Sequence, residues 1–176
     1  MTPWLQLLGP AMAVAAIGAL VLGGDALWPG RGRLWGWISV VLLLAVLLVP
    51  SGMSMAGAAP HGAYVAGPWS LFLQRVLVVS VVLAILGSMD WLESRVEGRQ
   101  AEYLALLLFS TSGMMMIPGA RDWALLVVSF ELMGIPLYAL AAWAKNDGPP
   151  ERPQLAAEAG LKLFVTGTAS SALTFF

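Results

Sequence analysis

Six long apolar runs, separated by short polar connections, dominate this sequence. The runs cover residues 4–27, 34–50, 71–89, 103–117, 123–143 and 155–176. A helix that crosses a lipid bilayer needs about 20 mostly apolar residues, within a range of roughly 17–25. The pattern therefore predicts an all-α, polytopic bundle of about six transmembrane helices.

The balance of charged and apolar residues agrees with this interpretation. Of the residues, 59% are hydrophobic and 11% are charged, whereas a soluble domain carries roughly 25% charged residues. We predict a single transmembrane domain over residues 1–176, almost none of which would fold in water. The last run ends without a polar cap, so the sequence is interpreted either as truncated at its C-terminus or as a complete sixth span.

The same composition excludes several functional classes. The chain has no cysteine, which excludes disulfides, thiol catalysis and cysteine-based metal centres. Its single histidine, His61, cannot form a metal cluster alone, and a net charge of −1 gives no nucleic-acid footprint. We therefore expect no bound cofactor, no metal site and no nucleic-acid partner, and we expect the lipid bilayer as the surroundings.

Lys and Arg are concentrated in alternate connections. The connections after the first, third and fifth runs contain Arg31, Arg33, Arg95, Arg99, Lys145 and Arg152. The connections after the second and fourth runs contain Arg121, with Arg75 just inside the third run. Because cytoplasmic loops carry the excess of these residues, we predict that the first group of connections is cytoplasmic and that the N-terminus lies outside.

Glu131 lies near the middle of the fifth run. A carboxylate there is costly to bury, so it is either neutral or placed beside a cation, and ionisable groups in spans are candidates for function. Pro136 removes one helical donor and frees the carbonyl of Leu132. Tyr138, seven residues after Glu131, shares its helix face. Glu131 is therefore a candidate for proton transfer, and the alternative is a protonated side chain that only bonds a neighbouring helix.

Lys162 is the second candidate for proton transfer. Five polar side chains recur at every fourth position of the sixth run, namely Glu158, Lys162, Thr166, Ser170 and Thr174. This spacing places them in one stripe along a helix, which we expect to face protein or water. The alternative is a surface ion pair between Glu158 and Lys162, with the hydroxyls bonded to carbonyls of their own helix.

Several motifs resemble subunit N of bacterial NADH-quinone oxidoreductase (complex I), an antiporter-like membrane subunit family. They are DWLE at 90–93, AEYLALLLF at 101–109, SGMMM at 112–116, FELMGIPLYALAA at 130–142 and EAGLKLF at 158–164. Their order along the chain is the more specific signal, because related antiporter-like subunits share each motif singly. The similarity covers residues 71–176, while residues 1–70 match in hydropathy only.

The resemblance implies a subunit of the bacterial inner membrane with fourteen helices in the family. Such subunits hold no redox centre, adjoin other membrane-arm subunits and move protons while the whole complex uses NADH and quinone. Glu131 matches the family's fifth-helix Glu, and Lys162 matches the Lys that opens the sixth helix. The family's seventh-helix Lys lies outside these residues. Alternatives are an antiporter-type subunit of a cation/proton exchanger or membrane hydrogenase, and a non-catalytic assembly subunit.

Overall fold

The computed structural model describes residues 9–48, 63–95, 98–143 and 151–175. Within these ranges the chain forms six α-helices, and the predicted all-α fold is confirmed. They are α1 (Gly9–Leu27), α2 (Gly32–Leu48), α3 (Pro68–Arg95), α4 (Gln100–Met116), α5 (Trp123–Ala141) and α6 (Glu151–Phe175). A 3-10 turn, Ile117–Gly119, follows α4. The predicted start of the first span at residue 4, and His61, lie outside the described residues.

Four of these helices are long and apolar enough to cross a membrane, namely α1, α3, α5 and α4 together with its 3-10 turn. Helix α2 is apolar but shorter, at 17 residues. Helix α6 has 25 residues, and its polar stripe lowers its hydropathy. Large apolar side chains on the outside of the bundle, such as Leu83 and Val41, are more than half exposed. Such a surface is suited to lipid rather than water.

Several helices extend beyond the apolar runs that predict them. Helix α3 continues past Met89 to Arg95, and an ion pair of 2.9 Å joins Glu93 near its end to Arg33 at the start of α2. Helix α6 begins at Glu151, inside the stretch predicted to be a loop, because the first turn of a helix tolerates a proline such as Pro153. Apolar residues mark only the part of a helix that faces lipid. The helical backbone hydrogen bonds can continue beyond that part, where the chain is surrounded by water.

Helix α4 lies at the centre of the bundle and contacts α1, α2, α3 and α5. Its residues Leu104, Leu108 and Met115 are almost completely buried. They join a core contributed by the other helices, including Val14, Val21, Leu43, Val78 and Ile85. Gly18 lets α1 approach closely, since a Cβ atom there would lie 3.3 Å from the Cβ of Leu108.

Helices α4 and α5 meet backbone to backbone at Gly113. A Cβ atom at this position would lie 2.5 Å from the amide nitrogen of Met133 and 2.9 Å from the carbonyl oxygen of Ser129. One turn away, the hydroxyl of Ser110 donates a hydrogen bond of 3.0 Å to the carbonyl of Met133. This contact fixes the stretch of α5 that contains Glu131.

The segment before α3 is attached to the turn between α4 and α5. Tyr64 and Ala120 form an isolated antiparallel bridge, with hydrogen bonds from Val65 N to Gly119 O (2.8 Å) and from Arg121 N to Ala63 O (2.9 Å). The ring of Tyr64 covers Gly119, where a Cβ atom would overlap it. These contacts close the end of the bundle that the charge pattern predicts to be external.

Candidate functional site

Glu131 lies in α5 and is half-buried. Two residues earlier, Ser129 is fully buried and donates a hydrogen bond of 2.7 Å to the carbonyl of Leu125. No side chain in the described part of the chain forms a hydrogen bond or an ion pair with the carboxylate of Glu131. A carboxylate so placed within an apolar helix requires water, a proton or a further protein surface.

Tyr138 joins α5 to α6. Its ring packs edge to face on Phe164, with 5.7 Å between ring centroids. A Cβ atom at Gly167 would overlap the phenol, and one at Gly134 would lie 2.8 Å from the phenol oxygen. Gly160 lies against Ala142 at the other end of this contact. The two helices are therefore antiparallel and are held close by glycines, with one aromatic side chain between them.

The position of Glu131 relative to α6 follows from these contacts. Glu131 precedes Tyr138 by seven residues, or two helical turns, so both side chains are on the face of α5 that meets α6. The separation along the axis is about 10 Å. Because Gly160 is level with the backbone of Tyr138, Gly167 and the residues beyond it lie at the level of Glu131. The phenol of Tyr138 reaches back along the seam toward that level.

Pro136 is buried within α5, and the helix continues past it to Ala141. Proline has no backbone N–H group, so the carbonyl of Leu132 lacks its usual helical donor. Gly113 of α4 packs beside Leu132. A backbone acceptor adjacent in sequence to Glu131 is therefore open to another donor.

The polar stripe on α6 faces away from α5. The Nζ atom of Lys162 lies 2.6 Å from a carboxylate oxygen of Glu158, and these side chains are 73% and 55% exposed. The hydroxyls of Thr166, Ser170 and Thr174 donate to the carbonyls four residues earlier, at 2.8–2.9 Å. The predicted stripe thus has the internal bonding of the surface-pair alternative, on a face free of contact with α5.

The structure does not bring the two predicted ionisable residues together. Lys162 lies between Gly160 and Gly167 in sequence, so it is nearer to the level of Tyr138 than to that of Glu131, and it points outward. Of the supporting residues, Pro136 and Tyr138 share α5 with Glu131, whereas Glu158, Thr166 and Ser170 share the exposed face of α6 with Lys162. The proton-transfer roles of all seven residues remain predictions.

Gln74 is a buried polar residue that lies outside the predicted site. It is 3% exposed and donates from Nε2 to the hydroxyl of Tyr64 (2.7 Å) and to the carbonyl of Met115 (3.0 Å). Its Oε1 atom has no partner among the described residues. Met115 is two residues from Gly113, so Gln74 lies near the level of Glu131, across α4. An isolated amide within an apolar run was the available signal.

Comparison with known proteins identifies relatives over almost the whole chain. NADH-quinone oxidoreductase subunit N of Rhodospirillum rubrum is 34% identical over 97% of this chain. The subunit N proteins of Paramagnetospirillum magneticum and Maricaulis maris are each 33% identical, over 94% and 99% of it. The chain spans about one third of the length of these relatives, which corresponds to 35%, 32% and 34% of them. No family model matches the chain.

A solved structure shares the fold. One chain of the respiratory complex I from Thermus thermophilus with bound aureothin superimposes with a TM-score of 0.66, at 22% sequence identity. The match covers 93% of this chain and 34% of that one. These relatives confirm the predicted resemblance. Its extent was predicted too narrowly, because the similarity includes most of residues 1–70 as well as residues 71–176. An N-terminal portion of the family's protein fits this partial coverage, and the chain belongs to the family of NADH-quinone oxidoreductase subunit N.

Proposed function

We propose that the chain is part of a proton-translocating subunit in the membrane arm of an NADH-quinone oxidoreductase. Its neighbours are then other membrane-arm subunits in a bacterial inner membrane, and NADH and quinone react elsewhere in the complex. The observation that carries this proposal is the position of Glu131, a half-buried carboxylate within an apolar helix and without a partner in the described part of the chain. The names of the relatives supply the assembly in which it acts.

In this proposal Glu131 takes up and releases a proton. The phenol of Tyr138 lies between α5 and α6 and extends toward the level of Glu131. There it can take part in a hydrogen-bonded path between the two helices. Lys162 with Glu158 provides a charged entrance on the outer face of α6, at the end predicted to be cytoplasmic, and Thr166 and Ser170 continue that face. The open carbonyl beside Pro136 gives water a place to bind near Glu131.

Two other functions are compatible with the same helices. An antiporter-type subunit of a cation/proton exchanger or membrane hydrogenase would use an intramembrane carboxylate in the same way. A non-catalytic assembly subunit would need Glu131 only for a hydrogen bond to a neighbouring helix. Lys162 faces outward and is already paired, which favours the assembly role for α6. Glu131 has no partner in the described part of the chain, which favours transport.

Substitution of Glu131 separates these functions. Gln preserves the size of the side chain and one hydrogen bond but cannot take up and release a proton near neutral pH. We expect Glu131→Gln to assemble normally and to lose most proton translocation and coupled turnover. Glu131→Asp retains the carboxyl group on a shorter stem, so we expect it to retain part of both. The measurements are proton pumping and quinone-reductase rate in vesicles, after native gels have verified assembly.

Glu102→Gln is the matched control. Glu102 lies near the start of α4, is about half exposed and pairs with Arg99 at 3.1 Å, so its neutralisation should leave pumping unchanged. Wild-type pumping by assembled Glu131→Gln would show that the carboxylate is structural and would favour the assembly role. If Glu131→Gln lost proton pumping but still transported sodium during turnover, the exchanger would be favoured instead.

A further inference from the structure

A cavity of about 490 Å³ opens at the end of the bundle predicted to be cytoplasmic. It lies between the end of α1, the start of α2, the end of α3 and the start of α4, and both Arg33 and Glu93 line it. These two side chains neutralise each other in an ion pair of 2.9 Å. Two further charged residues, Arg31 and Asp25, also line the cavity.

Arg31 and Asp25 carry opposite charges in one cavity but do not pair. Neither side chain has a hydrogen bond or an ion pair with any described residue. The cavity therefore presents one cation and one anion, each without a partner in the described part of the chain. A ligand that carried an anionic and a cationic group at a short separation would satisfy both charges at once.

The start of α2 adds donors for the anionic group. Gly30, with φ +84°, and Arg31 lead into the helix, and its first turn contains no acidic residue. The N–H groups at a helix start favour a phosphate. Trp35, one turn into α2, is 7% exposed and packs over Gly24, the neighbour of Asp25. Its indole N–H is buried and has no acceptor among the described residues.

Exposed apolar and aromatic side chains are close in sequence to the residues that line the cavity. Leu34 lines the cavity and is 45% exposed. Leu27 and Trp28 lie between Asp25 and Gly30 in sequence and are 74% and 59% exposed, and Trp37 in α2 is 52% exposed. Tryptophan at the end of a membrane helix marks the level of lipid headgroups. Charged groups within the cavity and exposed apolar residues on the same helix ends match the two parts of a phospholipid.

We propose that this cavity binds the headgroup of a zwitterionic membrane phospholipid, of the phosphatidylethanolamine type. Arg31 and the N–H groups at the start of α2 hold the phosphate, Asp25 holds the ammonium group, and the acyl chains lie along the outer surfaces of α1 and α2. The bound lipid would fasten the connection between α1 and α2 to the ends of α3 and α4. This inference is independent of the role proposed for Glu131.

Photocrosslinking tests the proposal in the assembled protein. Benzoylphenylalanine replaces Leu34, which lines the cavity, and a tag on the chain recovers the assembly after reconstitution in vesicles with equal phosphatidylethanolamine, phosphatidylglycerol and phosphatidylcholine. After irradiation, mass spectrometry identifies the lipids attached to this peptide. We expect phosphatidylethanolamine adducts to exceed the other two, since choline has no N–H donor for Asp25 and the glycerol headgroup has no cation.

Two substitutions separate the two ends of the headgroup. Arg31→Ala should lower total adducts about tenfold, the effect of losing one charge-assisted hydrogen bond, and Arg31→Lys should restore part of them. Asp25→Asn should preserve adducts but remove the preference for the ethanolamine headgroup. Arg121→Ala removes an exposed arginine at the opposite end of the bundle and should change nothing.

Three outcomes would overturn the proposal. The first is a wild-type adduct ratio equal to the lipid ratio of the vesicles. The second is an unchanged yield in Arg31→Ala, which should fold normally because Arg31 is exposed. The third is complete displacement of lipid by soluble glycerophosphoethanolamine, which would make the cavity a site for a soluble zwitterion. Because the readout is the attached lipid, none of these outcomes depends on proton pumping.

Discussion

A hydrogen atom in place of a side chain at Gly113 decides how closely α4 and α5 pack. The position faces backbone atoms of Ser129, Leu132 and Met133, with distances of 2.5–2.9 Å to a Cβ atom. Backbone cannot rotate away as a flexible side chain can. The geometry around Glu131 thus depends on a residue in another helix that carries no functional group.

Gly113→Ala should therefore destabilise the protein by roughly 1–3 kcal/mol, the usual cost of overpacking. Gly87→Ala is the control, because a Cβ atom at this position of α3 meets nothing within 4 Å. Alanine is the better helix former, so the control should be neutral or slightly stabilising. Thermal unfolding in detergent measures both. Equal melting temperatures for the two variants would contradict the close contact.

Lys162 provides the second test at the scale of one residue. If the outer face of α6 is a charged entrance, Lys162→Ala should slow proton translocation and Lys162→Arg should restore part of it by preserving the charge. If the pair with Glu158 is only an exposed surface contact, its removal should have almost no effect on stability or rate. Pumping by the two variants in vesicles decides between these outcomes, and Glu158→Gln distinguishes the pair from Lys162 alone.

The sequence identified a candidate residue where burial of its side chain is costly. It did not predict the direction in which a side chain points from its helix. Glu131 was evident from the sequence because a carboxylate is rare within an apolar run. The outward direction of Lys162 was not, because a stripe of polar residues defines a helix face without indicating which neighbour covers it. Gln74 was overlooked because its burial depends on Tyr64, which lies in a stretch without periodicity.

At the scale of elements, residues 63–67, which directly precede α3, are part of the bundle rather than a free loop. Tyr64 is 1% exposed and receives a hydrogen bond from Gln74, and backbone bonds link its neighbours to the turn after α4. Burial raises the pKa of the Tyr64 phenol above its usual value, and the hydrogen bond with Gln74 offsets part of this shift. The phenol thus contributes stability only while it is protonated.

The contribution of Tyr64 should be fully present below about pH 10, the pKa of a free phenol. As the pH rises further, the unfolded chain ionises before the folded one, so this stability is lost toward the higher folded pKa. Tyr64→Phe should reduce the alkaline loss of stability, and Tyr103→Phe, which removes a phenol hydroxyl in α4, is the control. Melting temperatures from about pH 8 to 11 measure the effect. Parallel curves for wild type and Tyr64→Phe would contradict it.

Element boundaries show why hydropathy predicts helices better than their ends. Each apolar run overlaps one of the six helices in the described part of the chain, but α3 extends to Arg95 and α6 begins at Glu151. Charged residues in these extensions lie where the chain meets water, so they can remain helical while breaking the apolar pattern. Ion pairs such as Arg33–Glu93 then join the helix ends.

For the whole molecule, the charge pattern makes a prediction about orientation that the helix packing does not determine. The connection between α3 and α4 should be cytoplasmic, and the turn between α4 and α5 should be external. The chain has no cysteine, so single cysteines can be placed at the exposed positions Ser94 and Asp122. An impermeant reagent added to intact cells should label Asp122→Cys and not Ser94→Cys, and the reverse result would invert the topology.

The contact at Gly113 limits the movements open to Glu131 in the proton-transfer role proposed for it. Because the backbone of α4 lies against the Ser129–Met133 stretch, α5 cannot turn about its axis unless the two helices first separate. The backbone of Glu131 therefore stays in place while its side chain moves. A change of partner must come from rotation about the torsions of its own side chain, which takes picoseconds to nanoseconds when exposed. If Glu131 transfers a proton as proposed, that transfer is timed by the arrival of water or a neighbouring group, not by the movement of a helix.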